Sequence, residues 1–350
     1  MASWRQTPRP ESGDRALGVW FPRARTVAIQ EEAVPATGPG EVRVRALVSA
    51  LSHGTEMLVY RGQVPAELPL DLPTLRGGFA FPIKYGYASV GRVREVGEGV
   101  AGTAVGDLVF VLHPHQTEYV APASLVVRLP ADLDPQLGVF TANVETAVNV
   151  LLDANPRLGE RVVIFGQGVV GLLLTQLFRY AGASRVVVVD PMPARRALAA
   201  QVGADVALAP DDDDVAAVVR DLTGGVGADL AVEASGNGAA LAQALACVAF
   251  QGTVVVSSWY GTKSVSAPLG GPFHRRRLRI VSSQVGTIDP ALQARWTHAR
   301  RLDLARDYLS RLQLSPLITQ RFPLVDAARA YALVDERPGE TVQVLLTYDV

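Results

Sequence analysis

From residue 161 the chain reads Arg161-Val-Val-Ile-Phe165, then Gly166-Gln-Gly168-Val169-Val170-Gly171, then helical apolar spacing to Tyr180 and a second strand run ending at Asp190. Three glycines so spaced between a strand and a helix serve dinucleotide binding. Gly166 permits the tight turn, Gly168 lets the backbone approach a pyrophosphate, and Gly171 allows close helix–strand packing. The helix start, at Val169 and Val170, then faces the phosphates with free N–H groups and the positive end of its dipole. Asp190 lies 24 positions after Gly166. Its carboxylate can accept from both adenosine ribose hydroxyls and repels a 2′-phosphate, so the cofactor reads as NAD rather than NADP. Arg195 and Arg196 weigh the other way, because a nearby guanidinium accommodates that phosphate; Arg195 is placed among the cofactor contacts.

Thiolate chemistry has little room. The single cysteine, Cys247, sits in an Ala-rich stretch, so no intramolecular disulfide, multi-cysteine zinc site or thiolate-held cluster is available. His113 and His115 share a strand face by their i, i+2 spacing. A metal there would need a third ligand, for which Glu118 is nearest, so they read as pocket residues and no metal is expected. The run Asp211–Asp214 reads as a solvated loop and His274–Arg277 as a solvated or interface cluster. Thirty-three basic against 34 acidic residues leave a net charge of −1, which removes the electrostatic case for nucleic acid. No apolar run reaches membrane length, and Met1–Pro8 leads into no apolar signal core. A cytoplasmic protein acting on a small molecule is expected.

The elements that hold these residues change character along the chain. Glu41–Val48 and Val90–Gly97 alternate at period two, and Gly106–Leu112 follows a Gly-rich turn, the texture of a small antiparallel β-barrel. From about residue 151, strands at 161–165, 185–190, 229–233 and 252–257 alternate with helices at 169–180, 193–202 and 239–249. That alternation predicts an α/β, doubly wound parallel sheet. A polar helix over 295–312 follows Ile280–Gly286, and strand–helix–strand texture over 317–350 predicts that the chain end rejoins the first domain. The expected division is 1–150 with 287–350, and 151–286.

Beyond the glycine motif, the chain resembles the medium-chain dehydrogenase/reductase (alcohol dehydrogenase) superfamily over about residues 26–350. The similarity runs through Gly40–Ala46, Gly54-Thr-Glu…Tyr60-Arg-Gly62, Tyr85–Val93, Val105-Gly-Asp-Leu-Val109, Thr117–Pro122, Pro316–Thr319 and Ala328–Tyr331. The resemblance implies a GroES-like catalytic domain split around a Rossmann domain. In zinc members three side chains hold the metal; the corresponding positions here are His53, Tyr87 and Ala142, and Ala142 cannot ligate. The lobe of structural cysteines is missing, so the chain resembles a zinc-free member. Ser52-His-Gly-Thr-Glu56 and Gly86–Gly91 are also similar to bacteriochlorophyllide a dehydrogenase-like proteins.

Without zinc, protein groups must polarise the reacting oxygen and exchange its proton. The resemblance places His53 in the cleft as general acid/base, Thr55 as relay hydroxyl, Tyr87 as donor, and Glu145 as base or substrate acceptor. It implies Thr146 at the nicotinamide, Gln284 and Val285 at its carboxamide, and a substrate pocket of Asn143, His113, His115, Trp259 and Tyr260. The reaction expected is hydride transfer between NAD(H) and a secondary alcohol or ketone of a polar, hydroxylated molecule. The alternatives are a redox-neutral epimerase or eliminase with transiently reduced NAD, and a non-catalytic NAD-binding protein. By the same analogy a homodimer forms through Rossmann edge strands, with Leu278–Ser282 as the edge.

Overall fold

The computed structural model describes residues 15–70, 74 and 77–348; Met1–Pro8 lies outside them. Strands β1 (Arg15–Arg23) and β2 (Thr26–Ala33) form an antiparallel hairpin. There follow β3 (Glu41–Ala50), helix α1 (Thr55–Tyr60), β4 (Ser89–Val96), β5 (Leu108–Val111), β6 (Glu118–Pro122) and β7 (Val126–Arg128). Short helix α2 (Pro135–Gly138) and the longer α3 (Thr141–Ala154) lead into the alternating segment. It comprises β8 (Arg161–Phe165), α4 (Val169–Tyr180), β9 (Arg185–Val189), α5 (Pro193–Gln201), β10 (Val206–Leu208) and α6 (Val215–Leu222). It continues through β11 (Ala228–Glu233), α7 (Gly238–Cys247), β12 (Val248–Val256) and β13 (Arg279–Ser282). The tail is α8 (His298–Tyr308), β14 (Ile318–Pro323), α9 (Ala327–Glu336) and β15 (Gln343–Thr347).

The alternating segment makes one six-stranded parallel sheet, ordered β10-β9-β8-β11-β12-β13. The order reverses between β8 and β11, and the crevice beyond their carboxyl ends is where doubly wound sheets bind ligands. Unbroken runs such as Val186–Val189 are buried because helices cover both faces, as parallel sheets require. Asp214, last of the acidic run, caps α6 by accepting from the Ala217 N–H at 2.9 Å, and Cys247 is a packed core residue whose thiol burial pushes up to about 12.

The other strands form a seven-stranded sheet, β14-β15-β3-β4-β5-β7, with β6 also on β3. β3 alternates strictly, burying Val42, Val44, Ala46 and Val48. The tail joins this sheet: β15 pairs antiparallel with β3, Leu345 opposite Ala50. A continuous apolar cluster unites Val48, Val90 and Phe110 of this sheet with Phe140 and Val144 near α3 and with Leu172 of α4. The cleft walls are therefore fixed against each other. No helix among the described residues is long and apolar enough to cross a membrane.

Candidate functional site

The glycine loop has the stereochemistry a dinucleotide requires. Gly166 has φ +94°, and a Cβ there would lie 2.8 Å from the Ala234–Ser235 backbone. A Cβ on Gly171 would meet the Gly166 carbonyl oxygen at 1.9 Å, which is the close helix–strand approach. Gly168, by contrast, has nothing within 4 Å of its Cβ position, leaving open space at the N-cap of α4. No side chain caps that helix, so the N–H groups of Val169 and Val170 remain for a phosphate. Asp190 stands buried at the end of β9; its carboxylate accepts from the Gln167 N–H at 2.7 Å and the Met192 N–H at 2.8 Å, pinning the loop. Across from it, Arg195 donates to the carbonyls of Pro338 and Thr341. The Nε atoms of Arg195 and His53 (Nε and Nε2) are buried without partners. The open glycine cradle, and the unpaired N–H of the Arg195 guanidinium beside Asp190, fit an anionic cofactor.

This arrangement revises the role expected of His53. Burial first, then the charges of Arg195 and Arg61, holds its imidazole down to about 3. A group so depressed is neutral at physiological pH and does not cycle protons there. The charges acting on it are those of Arg195 and Arg61, whereas Tyr87 interacts with Ser52, Glu56 and Thr55. The phenol of Tyr87 donates to Ser52 Oγ, and burial first, partly offset by that bond, raises it to about 12. Tyr87, Ser52 and Thr55 are thus brought together as a hydroxyl cluster.

Glu145 is held in an ion pair. Arg301, 2% exposed, donates to its Oε1 from Nε at 3.1 Å and Nη2 at 2.9 Å. Arg301 also donates to Asn149 Oδ1 and the Val285 carbonyl, both at 2.6 Å. The guanidinium so ties α8 to α3 and to the turn expected at the carboxamide, occupying the Val285 oxygen. Thr146 bonds back to Ala142 O at 2.9 Å within its own helix, and Gln284 folds onto the Gly286 N–H at 2.6 Å. Asn143 reaches Gln343 at 3.5 Å.

The histidines 113 and 115 do not share a strand face, because β5 ends at Val111. Both are buried. His113 stacks on Tyr119 with centroids 3.6 Å apart, and burial lowers its pKa to about 3. His115, 0% exposed, is engaged by Ser49 and Glu56. Protonation of His113 is therefore coupled to unfolding. Its folded pKa lies below the unfolded one, so its contribution is complete above about 6.5 and declines as pH falls towards 3. Stability should drop by up to about 1.4 kcal/mol per pH unit for this group, and His113→Phe should flatten the slope between pH 6 and 4 in urea titrations.

Trp259 is 41% exposed and lies 6.2 Å, centroid to centroid, from Phe79. Phe79, Tyr85 and Tyr87 continue the row at 5.9 and 6.3 Å, an aromatic wall reaching the Tyr87 phenol. Tyr260 instead donates to Glu233 Oε2 at 2.7 Å, and the other oxygen of Glu233 accepts from the N–H groups of Ser235 and Gly236. Glu233, Glu56, Ser52 and Arg301 escaped sequence reasoning. Glu233 ends a strand run that was recognised, so an acid closing a buried strand was its signal; Glu56 lies in the first turn of α1, within a segment quoted for its resemblance alone.

The positions that hold zinc in zinc members carry Ala142, Tyr87 and His53 here. Ala142 has no donor atom, Tyr87 gives its hydroxyl to Ser52, and the charges facing His53 are arginines. Among the described residues no three His, Cys, Asp or Glu are placed to hold a metal.

A zinc-binding dehydrogenase family model matches residues 169–302. The D-guloside 3-dehydrogenase of Escherichia coli (strain K12) is 29% identical over 343 residues, covering 93% of this chain and 97% of that protein. The L-threonine 3-dehydrogenase of Pyrococcus abyssi is 30% identical over 343 residues, covering 89% of this chain and 92% of the relative. In structure, 2R,3R-butanediol dehydrogenase from Bacillus subtilis superposes with a TM-score of 0.79 at 22% identity, over 95% of this chain and all of the other (100%). The motif order, the two sheets and these full-length likenesses agree: the chain belongs to the medium-chain dehydrogenase/reductase superfamily.

Proposed function

We propose that the protein is a zinc-independent, NAD-dependent dehydrogenase or reductase acting on a secondary alcohol or ketone of a polar, hydroxylated small molecule. The observation that carries this reading is the Tyr87 phenol, held by Ser52 where zinc members place a ligand. Relatives named for D-guloside and L-threonine support a carbinol flanked by polar groups. The catalytic unit is taken as 1–150 with 287–350 and the cofactor unit as 151–286. The exposed edge strand β13, with Ile280 39% exposed, is the face for pairing with a second copy.

When bound, NAD(H) supplies or accepts the hydride. Gly166, Gly168, Gly171 and the start of α4 would hold the pyrophosphate, and Asp190 the adenosine ribose. With substrate bound, the Tyr87 proton would turn from Ser52 Oγ to the substrate oxygen and polarise it, the Ser52 hydroxyl in turn donating to the Tyr87 oxygen. A ketone reduced takes that proton and Ser52 replaces it, and alcohol oxidation returns it by the same hydroxyls. Because its phenol stays protonated up to about 12, it acts as a donor and not as the resting base. Thr55 and Ser52 connect it to exchangeable hydroxyls. The aromatic row from Trp259 to Tyr87 excludes water from one side of the carbinol.

The test uses purified protein with a methyl D-guloside, (R,R)-2,3-butanediol and L-threonine, each with NAD or NADP, before and after exhaustive chelation. Stoichiometric NADH formation that survives chelation is the expected result. Activity lost to the chelator and restored by zinc overturns the zinc-independent mechanism. Substrate conversion with no net NADH supports the redox-neutral reaction instead.

A further inference from the structure

Beneath the Tyr87 site lies a carboxylate that the proposed reaction does not use. Glu56 is 0% exposed and accepts three hydrogen bonds from three different parts of the chain. The Ser52 N–H reaches Oε2 at 3.0 Å, His115 Nε2 lies 2.8 Å from Oε1, and the Tyr331 hydroxyl from α9 donates to the same oxygen. Behind it, His115 Nδ1 meets Ser49 Oγ at 2.7 Å, and Ser49 Oγ meets the Tyr348 hydroxyl at 2.7 Å. Burying a carboxylate costs several kcal/mol, and a packed apolar residue usually serves stability better.

Two lines run from the Glu56–His115 pair to Tyr87. The first is polar: Glu56 fixes the Ser52 backbone, and Ser52 Oγ accepts from Tyr87. The second is steric. Gly86, directly before Tyr87, has φ +145°, and a Cβ on it would lie 2.9 Å from both Cδ2 and Nε2 of His115. The imidazole therefore packs on the peptide that sets the direction of the Tyr87 side chain. We propose that Glu56 and His115 are positioning residues which hold the Tyr87 hydroxyl in its reactive orientation, through Ser52 on one side and Gly86 on the other. This rests on Tyr87 being the donor to substrate.

The test is ¹⁹F NMR of protein containing 3-fluorotyrosine, with the Tyr87 line assigned by its loss in Tyr87→Phe. In Glu56→Gln and in Ser49→Ala, the Tyr87 line should shift or broaden while NADH affinity stays within about twofold. With whichever of the three alcohols is turned over, kcat should fall about tenfold to a hundredfold at nearly constant KM, the cost of a misplaced donor. A Tyr87 line unmoved in both variants overturns the proposal. If Glu56→Gln does not fold, Ser49→Ala decides together with Tyr348→Phe. Ser49→Ala removes the partner of both His115 Nδ1 and the Tyr348 hydroxyl, and Tyr348→Phe, which removes only the second contact, should leave the Tyr87 line in place. If Tyr87→Phe leaves kcat unchanged, the donor reading fails, and the NMR result still stands for or against the positioning.

Discussion

Replacing Tyr87 by Phe should lower kcat by about 10²–10⁴-fold, the usual span for a positioned acid, with NADH affinity and fold unchanged. The ring itself remains, so its edge contact with Tyr85 survives. What disappears is the hydroxyl bonded to Ser52, which the proposed mechanism turns towards the substrate oxygen. The pH profile sharpens the expectation. Burial raises the Tyr87 phenol to about 12, so a rate limb from its loss of a proton appears only at strongly alkaline pH. Burial and two arginines hold His53 down to about 3, so it adds no limb near neutrality. A limb near 6.5 that vanishes in His53→Ala would return the acid–base role to His53 and remove it from Tyr87. Steady-state kcat and KM from pH 5 to 10 for the wild type and both variants make the comparison.

Gly171→Ala should abolish dinucleotide binding, raising the Kd for NADH by about a hundredfold or more, and should cost about 1–3 kcal/mol of stability as an overpacked contact. Its methyl group would be 1.9 Å from the Gly166 carbonyl oxygen, a backbone atom that cannot rotate away. Either α4 moves off β8 or the loop opens, and both misplace the N–H groups meant for phosphate. Gly168→Ala provides the contrast. Nothing lies within 4 Å of that Cβ position, and the backbone there is extended. Folding should be untouched while NADH binding weakens, because the methyl occupies the approach to the pyrophosphate. Fluorescence titration with NADH alongside urea unfolding separates the two effects. Equal, full-affinity binding by both variants would remove the cofactor assignment from this loop.

Period and spacing carried the Rossmann half closely. Arg161–Phe165 and Val169–Tyr180 appear as read, since a parallel strand covered on both faces must be an unbroken apolar run. The Asp190 and glycine positions were legible for a related reason: backbone conformation there admits few residue types. The hairpin β1–β2 was not foreseen. Its second strand is only half buried and reads Thr26-Val-Ala-Ile-Gln-Glu-Glu-Ala33, without a clean alternation. The catalytic side was harder still. Whether His53 titrates depends first on its burial and then on Arg195, 142 positions away. The ion-pair partner of Glu145, Arg301, comes from a helix 156 positions further on. His115 looked like a pocket residue, yet its partner Glu56 comes from an element 59 positions earlier. Spacing along one strand or helix reports on neighbours within that element, and each of these side chains takes its chemistry from another.

The pairing of β15 with β3 has a consequence for how the chain comes off the ribosome. β3 is flanked in its sheet by β15 and β4, so the strand made first among them waits for the strand made last. The cofactor sheet, β8 to β13, is contiguous in sequence and can close as soon as Ser282 has emerged. Long-range pairing is the slow part of assembly, and domains commonly fold as they are synthesised. The middle of the chain is therefore expected to fold first, and the amino-terminal sheet to complete itself beside an already folded neighbour. An arrest of translation before Leu345 leaves a finished dinucleotide fold beside an open, strand-exposing barrel.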